Sequence, residues 1–233
     1  MSEKEEKKEE RRTFGEWFGD LWYRYKWLLI ICALLAVFLI ISLAQIIGAK
    51  DADIKILYVG PEYLNEKARE RLFESIASLA PDYDGDGEVN TDLLDIMIRR
   101  YYDESDPENY IRYDKDLESN KRFQTEIRAG DAVIYILDSV YYKKSVEEGI
   151  LAKLTEVLPP EAMPAEVYGE YGVELGKIDA RLLPGFDVLP GDLVLCIRRS
   201  PDKDNIKYGR AADYWESNRK AFENIIKYRA EKM

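Results

Sequence analysis

The chain has 233 residues, a net charge of −11 and no histidine. That composition removes Ser-His-Asp and Cys-His catalysis, HExxH zinc sites and any histidine-based pH switch. Residues 1–49 hold seven basic and seven acidic side chains, so the whole acidic excess belongs to the rest of the chain, a surface that repels nucleic acid and an anionic leaflet alike.

In chain order, residues 1–13 open with MSEKEEKKEERR, which lacks apolar content and predicts a disordered, cytoplasmic tail. Residues 14–26 form an aromatic juxtamembrane segment. Trp17, Phe18, Leu21, Trp22 and Tyr25 recur there at three- and four-residue spacing, the pattern of a short helix lying at the headgroup level. Residues 27–47, WLLIICALLAVFLIISLAQII, carry no charge. At about 1.5 Å per residue a helix of that length matches a hydrocarbon core of roughly 30 Å. The reading is a single transmembrane helix, with the lipid bilayer as its partner. Arg11, Arg12, Arg24 and Lys26 precede it, whereas Lys50 and Lys55 are interleaved with Asp51 and Asp53. The positive-inside rule then keeps the N-terminus cytoplasmic and places residues 50–233 outside the cell membrane. The apolar run exceeds a typical signal-peptide core, so it reads as a retained signal-anchor. Cys32 lies in this run and Cys196 in the following domain, so no disulfide joins them. Cys196, in LVLCI, reads as a small buried hydrophobe.

Residues 50–233 are long enough for one domain with its own core. DIKILYVG (53–60) alternates like a first strand, and NEKARERLFESIASLA (65–80) is an amphipathic helix with Asn65 at its N-cap and Pro81 beyond its end. Residues 89–102 fit either period: Leu93, Met97 and Tyr101 recur helically, whereas Val89, Thr91 and Leu93 alternate like a strand. Residues 103–114 read as a loop. KDLESNKRFQTEIRAG (115–130) reads as a helix closed by Gly130. DAVIYILD (131–138) is a nearly continuous apolar run, the mark of a strand buried on both faces. A helix over 139–154 breaks near Gly149, a proline-rich loop follows, 191–199 is a strand and 211–232 a closing helix. This alternation predicts an α/β domain in which helices flank a mixed sheet.

Between the first helix and residue 91 lies DYDGDGEVN. Asp82, Asp84 and Asp86 occupy positions 1, 3 and 5 of the EF-hand loop pattern, Gly87 position 6, and Glu88 position 7, where a backbone carbonyl serves as ligand. The stretch also resembles the calcium loop of dockerin repeats. Position 12 is Leu93 instead of an acid, and no second copy occurs. Two readings stand: a solvated Asp/Gly turn, or a weak Ca²⁺ site, dockerin-like in its use for attachment. No other cofactor is expected.

One block adds to the alternation of elements. FQTEIRAGDAVIYILDSVYYKKSVEEGILAKL (123–154) resembles the extracytoplasmic solute-binding proteins of bacterial ABC importers. There a helix ending in AGD feeds a buried strand, and the next helix carries a tyrosine and closes in G-x-L-x-x-L, here Gly149, Leu151 and Leu154. The resemblance implies a solute-binding lobe, with residues 89–98 as its second strand. It covers about one lobe, whereas those proteins clamp a ligand between two. Open α/β sheets bind ligands at the carboxyl ends of their strands, which here makes Glu62, Asp138, Ser139 and Tyr141 the candidate ligand-binding residues. Helix capping and turn formation are the competing roles for the same residues. Two SxxK matches, at Ser200 and Ser217, lack the motifs that accompany a Ser-Lys dyad, and no phosphate loop or CxxC is present, so the chain is not expected to be an enzyme. The functional expectation is a membrane-anchored binding domain for a small solute or a membrane or envelope protein. The alternative is a structural or assembly component of an envelope complex without a small-molecule ligand.

Overall fold

Two units divide the chain, residues 1–50 and 51–233, and the computed structural model describes residues 14–48, 52–98, 117–201 and 212–229. The tail 1–13 and the loop 103–114 lie outside the described residues. In the first unit, helix α1 runs Phe14–Gly48 with non-helical angles at Tyr25 (φ −125°, ψ 19°). Among the described residues no single helix is long and apolar enough to cross a membrane. Trp22–Leu28 and Ile30–Leu43, bent by 44°, meet that requirement only as a pair. The apolar run expected as one span over 27–47 thus falls largely in the second segment of this bent pair instead of in one long straight helix.

The second unit is a mixed five-stranded sheet flanked by helices. Its strands are β1 (Ile54–Gly60), β2 (Thr91–Met97), β3 (Ile134–Leu137), β4 (Gly172–Glu174) and β5 (Val194–Ile197). They lie in the order β2-β1-β3-β5-β4. The β1 pairs with β2 and β3 are parallel, whereas β5 runs antiparallel to β3 and β4. Residues 91–97 thus form a strand, which settles the ambiguity of that stretch. Local helical spacing there gives way to seven residues of pairing with β1.

Strand alternation sorts the side chains into two cores. On one face Ile54, Ile56, Tyr58, Leu93, Ile134, Ile136, Leu195 and Ile197 meet Leu72 and Ile76 of α2 (Glu66–Leu79) and Phe222, Ile225 and Ile226 of α6 (Trp215–Lys227). On the other, Leu57, Val59, Ile96, Tyr135, Leu137 and Cys196 meet Phe123 and Ile127 of α3 (Leu117–Ala129) and Tyr141 and Tyr142 of α4 (Ser139–Glu147). Burying each such large apolar side chain contributes roughly 1.5–3 kcal/mol. All four β3 residues are buried, as its apolar run predicts for a strand near the centre of a sheet. The one-turn helix α5 (Leu154–Val157) belongs to the first core.

The helix ends follow their sequence signals. Asn65 Oδ1 accepts from the Ala68 N–H at 3.0 Å. Gly130 takes φ 71° after α3, and Gly149 takes φ 68° shortly after α4, a conformation that suits glycine because it has no Cβ. Ser217, the serine of the second SxxK match, is buried on α6, with its hydroxyl directed at the Pro81 carbonyl (3.5 Å). Its neighbour Asn218 explains this orientation. Asn218 Nδ2 donates to the Asp53 and Tyr214 carbonyls (2.8 and 2.9 Å), and Oδ1 accepts from the Lys55 N–H (3.2 Å). These bonds fix that side of α6 against the start of β1. Lys220 remains exposed, so this SxxK match does not present its serine and lysine together.

Candidate functional site

The acidic loop 82–90 is built by its own carboxylates. Asp82 accepts the Gly85 and Gly87 N–H groups at 2.7 and 2.9 Å, Asp84 that of Asp86 at 3.1 Å, and Asp86 that of Glu88 at 2.9 Å. Such side chain–backbone bonds are how Asp stabilises tight turns, and Gly85 and Gly87 supply the positive φ angles of 73° and 89°. Asp53 joins from the start of β1. It is 2% exposed and accepts from the Tyr83 N–H (3.2 Å) and the Asn90 N–H (2.7 Å).

Asp53, Asp82 and Asp84 bring carboxylate oxygens within 4.8 Å of one another. The Asp86 backbone N–H pulls the Asp84 carboxyl down. Desolvation, the Asp86 and Asp53 charges and a hydrogen bond shared with Asp82 outweigh it, and the Asp84 carboxyl is raised from its ordinary value. A hard cation suits such an all-oxygen donor set, since each oxygen has a lone pair beyond its N–H bond. Asp86 and Glu88 stand outside this group of three, and Leu93, at position 12, is buried in the first core. Sequence reasoning missed Asp53. It precedes the loop by 29 residues and shows no local signal, because its role exists only once the loop folds back on β1.

The four candidate ligand residues gather near the carboxyl ends of β1 and β3. The chain leaves β1 for β2 on one side of the sheet, while β3 lies on the other, so a topological switch point falls between β1 and β3. There the Asp138 N–H donates to the Val59 carbonyl (2.8 Å), and the Gly60 carbonyl accepts from the Ile98 N–H (2.9 Å). Asp138 is fully buried and caps α4 through the Val140 N–H at 3.2 Å. Tyr141 is also buried. Its ring meets Phe123 edge-on at 4.8 Å and its hydroxyl donates to Asn120 Oδ1 at 3.1 Å. Glu62 is exposed, with its carbonyl accepting from the buried Tyr58 hydroxyl (2.9 Å), and Ser139 is half-buried. Within this group, Glu62 and Ser139 therefore offer the accessible side chains, whereas Asp138 and Tyr141 hold the frame.

Several cavities cluster elsewhere, around the 166–171 loop. One of about 220 Å³ is lined by Lys153, Leu154, Met163 and Glu170, and one of about 280 Å³ by Tyr142, Val146, Glu170 and Tyr171. The Lys153–Glu170 ion pair (2.5 Å) and the Tyr142–Tyr168 edge contact (5.1 Å) frame them. Burial pushes the Tyr142 hydroxyl up to about 12, so it stays a neutral donor to the Tyr168 carbonyl (2.7 Å). These hollows have no local signal in the chain, since they depend on a loop packing between α4 and α5. Each is below the roughly 300–1,000 Å³ usual for small-molecule sites. No protein-family model matches the chain, and no significant match to it occurs among curated proteins or solved structures.

Proposed function

We propose that the chain is a membrane-anchored, extracytoplasmic α/β binding domain that recognises another protein through the loops following β1 and β3. The topological switch point carries this reading. Two loops diverge there, with Glu62 and Ser139 accessible on a frame fixed by Asp138 and Tyr141. The small cavities favour a protein over a small solute, so the 123–154 block would be a solute-binding-like lobe used without the inter-lobe clamp. The charge-free 27–47 stretch supports the anchor, and the basic residues before it support an inside N-terminus. Leu34, Phe38 and Ile40, which are 65–66% exposed, would face lipid.

Site-specific photocrosslinking in the host cell tests the recognition. A photoreactive residue at Glu62 or Ser139 should trap one discrete protein adduct, and the same residue at Lys220 should not. Absence of adducts from both loop positions, in a chain made at normal level, contradicts the assignment.

A second reading, calcium binding, is favoured by the convergence of Asp53, Asp82 and Asp84. With Leu93 in place of a bidentate acid, affinity should be of order 10⁻⁴–10⁻³ M, as in extracellular modules. Calcium at about 10 mM should raise the melting temperature by a few degrees. Asp84→Ala should abolish the shift. If calcium does no more than magnesium, the loop is a turn and this second reading fails.

A further inference from the structure

The two edges of the sheet differ. β4 closes one edge with three residues, Gly172–Glu174, whereas β2 runs seven residues along the other. Main-chain directions on β2 follow from its flanking bonds: the Asn90 carbonyl accepts from the Ile54 N–H at 3.1 Å, and the Ile98 N–H donates to the Gly60 carbonyl at 2.9 Å. Alternation then turns residues 92, 94 and 96 toward β1 and Thr91, Leu93 and Asp95 outward. Among the described residues nothing pairs with the outward N–H and C=O groups of these three. The Met97 carbonyl, at the strand's end, accepts from Ser119 Oγ at 3.0 Å.

Soluble proteins blunt or cover long edges because such edges template further strands. Here the edge is long, and acids flank it. Asp92 is exposed, and Asp95 pairs with Arg69 at 2.9 Å on the opposite face. Desolvation and the Asp131 and Asp92 charges raise the Glu126 carboxyl above its ordinary value against the opposing pull of Arg122, so the Glu126 and Asp92 charges act on each other on the α3 side of the strand. Pairing with a second copy would oppose like charges, which is destabilising.

We infer that the β2 edge is a strand-addition site for an extended, lysine- or arginine-rich segment of another protein, which pairs with Thr91, Leu93 and Asp95 and sets its cations beside Asp92 and Glu126. Main-chain bonds would supply affinity, and alternate side chains specificity. The chain's acidic excess would speed encounter with a cationic partner. This deepens the protein-binding reading and rests on it, while using a different surface from the β1 and β3 loops.

The test uses the full chain in detergent micelles and a fluorescein-labelled octapeptide of alternating Lys and Val, followed by fluorescence anisotropy. The Lys–Val peptide should bind. Its Glu–Val counterpart, and a Lys–Val peptide N-methylated throughout, should each bind about tenfold more weakly or worse. Asp95→Pro removes one outward N–H at a position where an edge strand tolerates proline. It should weaken binding similarly, whereas Asp95→Asn keeps that N–H and most of the affinity. Equal binding of the methylated and parent peptides overturns the strand-addition assignment, and this arm decides even where Asp95→Pro fails to fold. Equal binding of the Glu–Val peptide overturns the cationic partner, and dimers of the chain that the Lys–Val peptide disperses overturn it in favour of a second copy. Crosslinks from Glu62 and Ser139 report on the loops separately, so failure of the edge and failure of the loop reading are distinguishable.

Discussion

Ile136→Asp should unfold the 51–233 unit. Ile136 lies on β3, 1% exposed, opposite Tyr58 on one side and Leu195 on the other. It faces the core made with α2 and α6. An aspartate there either buries an unpaired charge or takes up a proton to avoid it. Either way the cost is several kcal/mol, against a typical total stability of about 5–15 kcal/mol. Ile136→Val keeps the shape and should cost only about 0.5–1.5 kcal/mol. Circular dichroism melts of the two variants and the parent make the comparison. A melt for Ile136→Asp that overlays the parent would show that β3 is not central.

The second large effect is expected at Gly185, where the turn at 184–187 presses its backbone onto α2. Gly185 has φ 86°, and a Cβ added there would overlap the Leu72 amide nitrogen and lie 2.5 Å from Leu72 Cα. These are main-chain atoms of a packed helix, so no side chain can swing aside. The Ser75 hydroxyl donates to the Pro184 carbonyl at 2.8 Å, and the Gly185 N–H to Asp187 Oδ1 at 2.8 Å, and both bonds hold the turn in place. Gly185→Ala must part the turn from α2 and should cost more than the roughly 1–3 kcal/mol of backbone strain alone. Gly87→Ala is the control. That glycine has φ 89° with open space around it, so its alanine should carry strain without a clash. Urea titrations should give a much lower midpoint for Gly185→Ala than for Gly87→Ala. Equal midpoints would mean that the turn does not bear on α2.

The elements that announce themselves locally were legible in the sequence. Asn65 before an amphipathic run, Gly130 after one, and the apolar IYIL between acids each state their role within a few residues, and α2, α3 and β3 follow. What depends on distant partners was not legible. Residues 91–97 hold both periods, and only pairing with β1 selects the strand. β4 is three residues within a proline- and glycine-rich stretch, and it exists because β5 offers it an edge. Nothing local marks Ser217 and Asn218 for burial, because the Asp53 carbonyl and the Lys55 N–H that Asn218 binds lie at the start of β1. The candidate site divides in the same way. Asp82, Asp84 and Asp86 were visible through their spacing, but Asp53 becomes a member only through the fold. Asp138 and Tyr141 were visible at a strand end, yet burial gives them capping and packing roles, which spacing alone does not decide.

The central claim is that residues 51–233 are displayed outside the membrane on an anchor near residues 27–47, and protease protection tests it most directly. Wall-less cells carrying the full chain, with separate epitope tags at the N-terminus and the C-terminus, are treated with a membrane-impermeant protease. The account predicts that the C-terminal tag is lost from intact cells while the N-terminal tag survives on a short membrane-bound fragment, and that both are lost when detergent is added. A C-terminal tag that resists protease until the cells are lysed would contradict it.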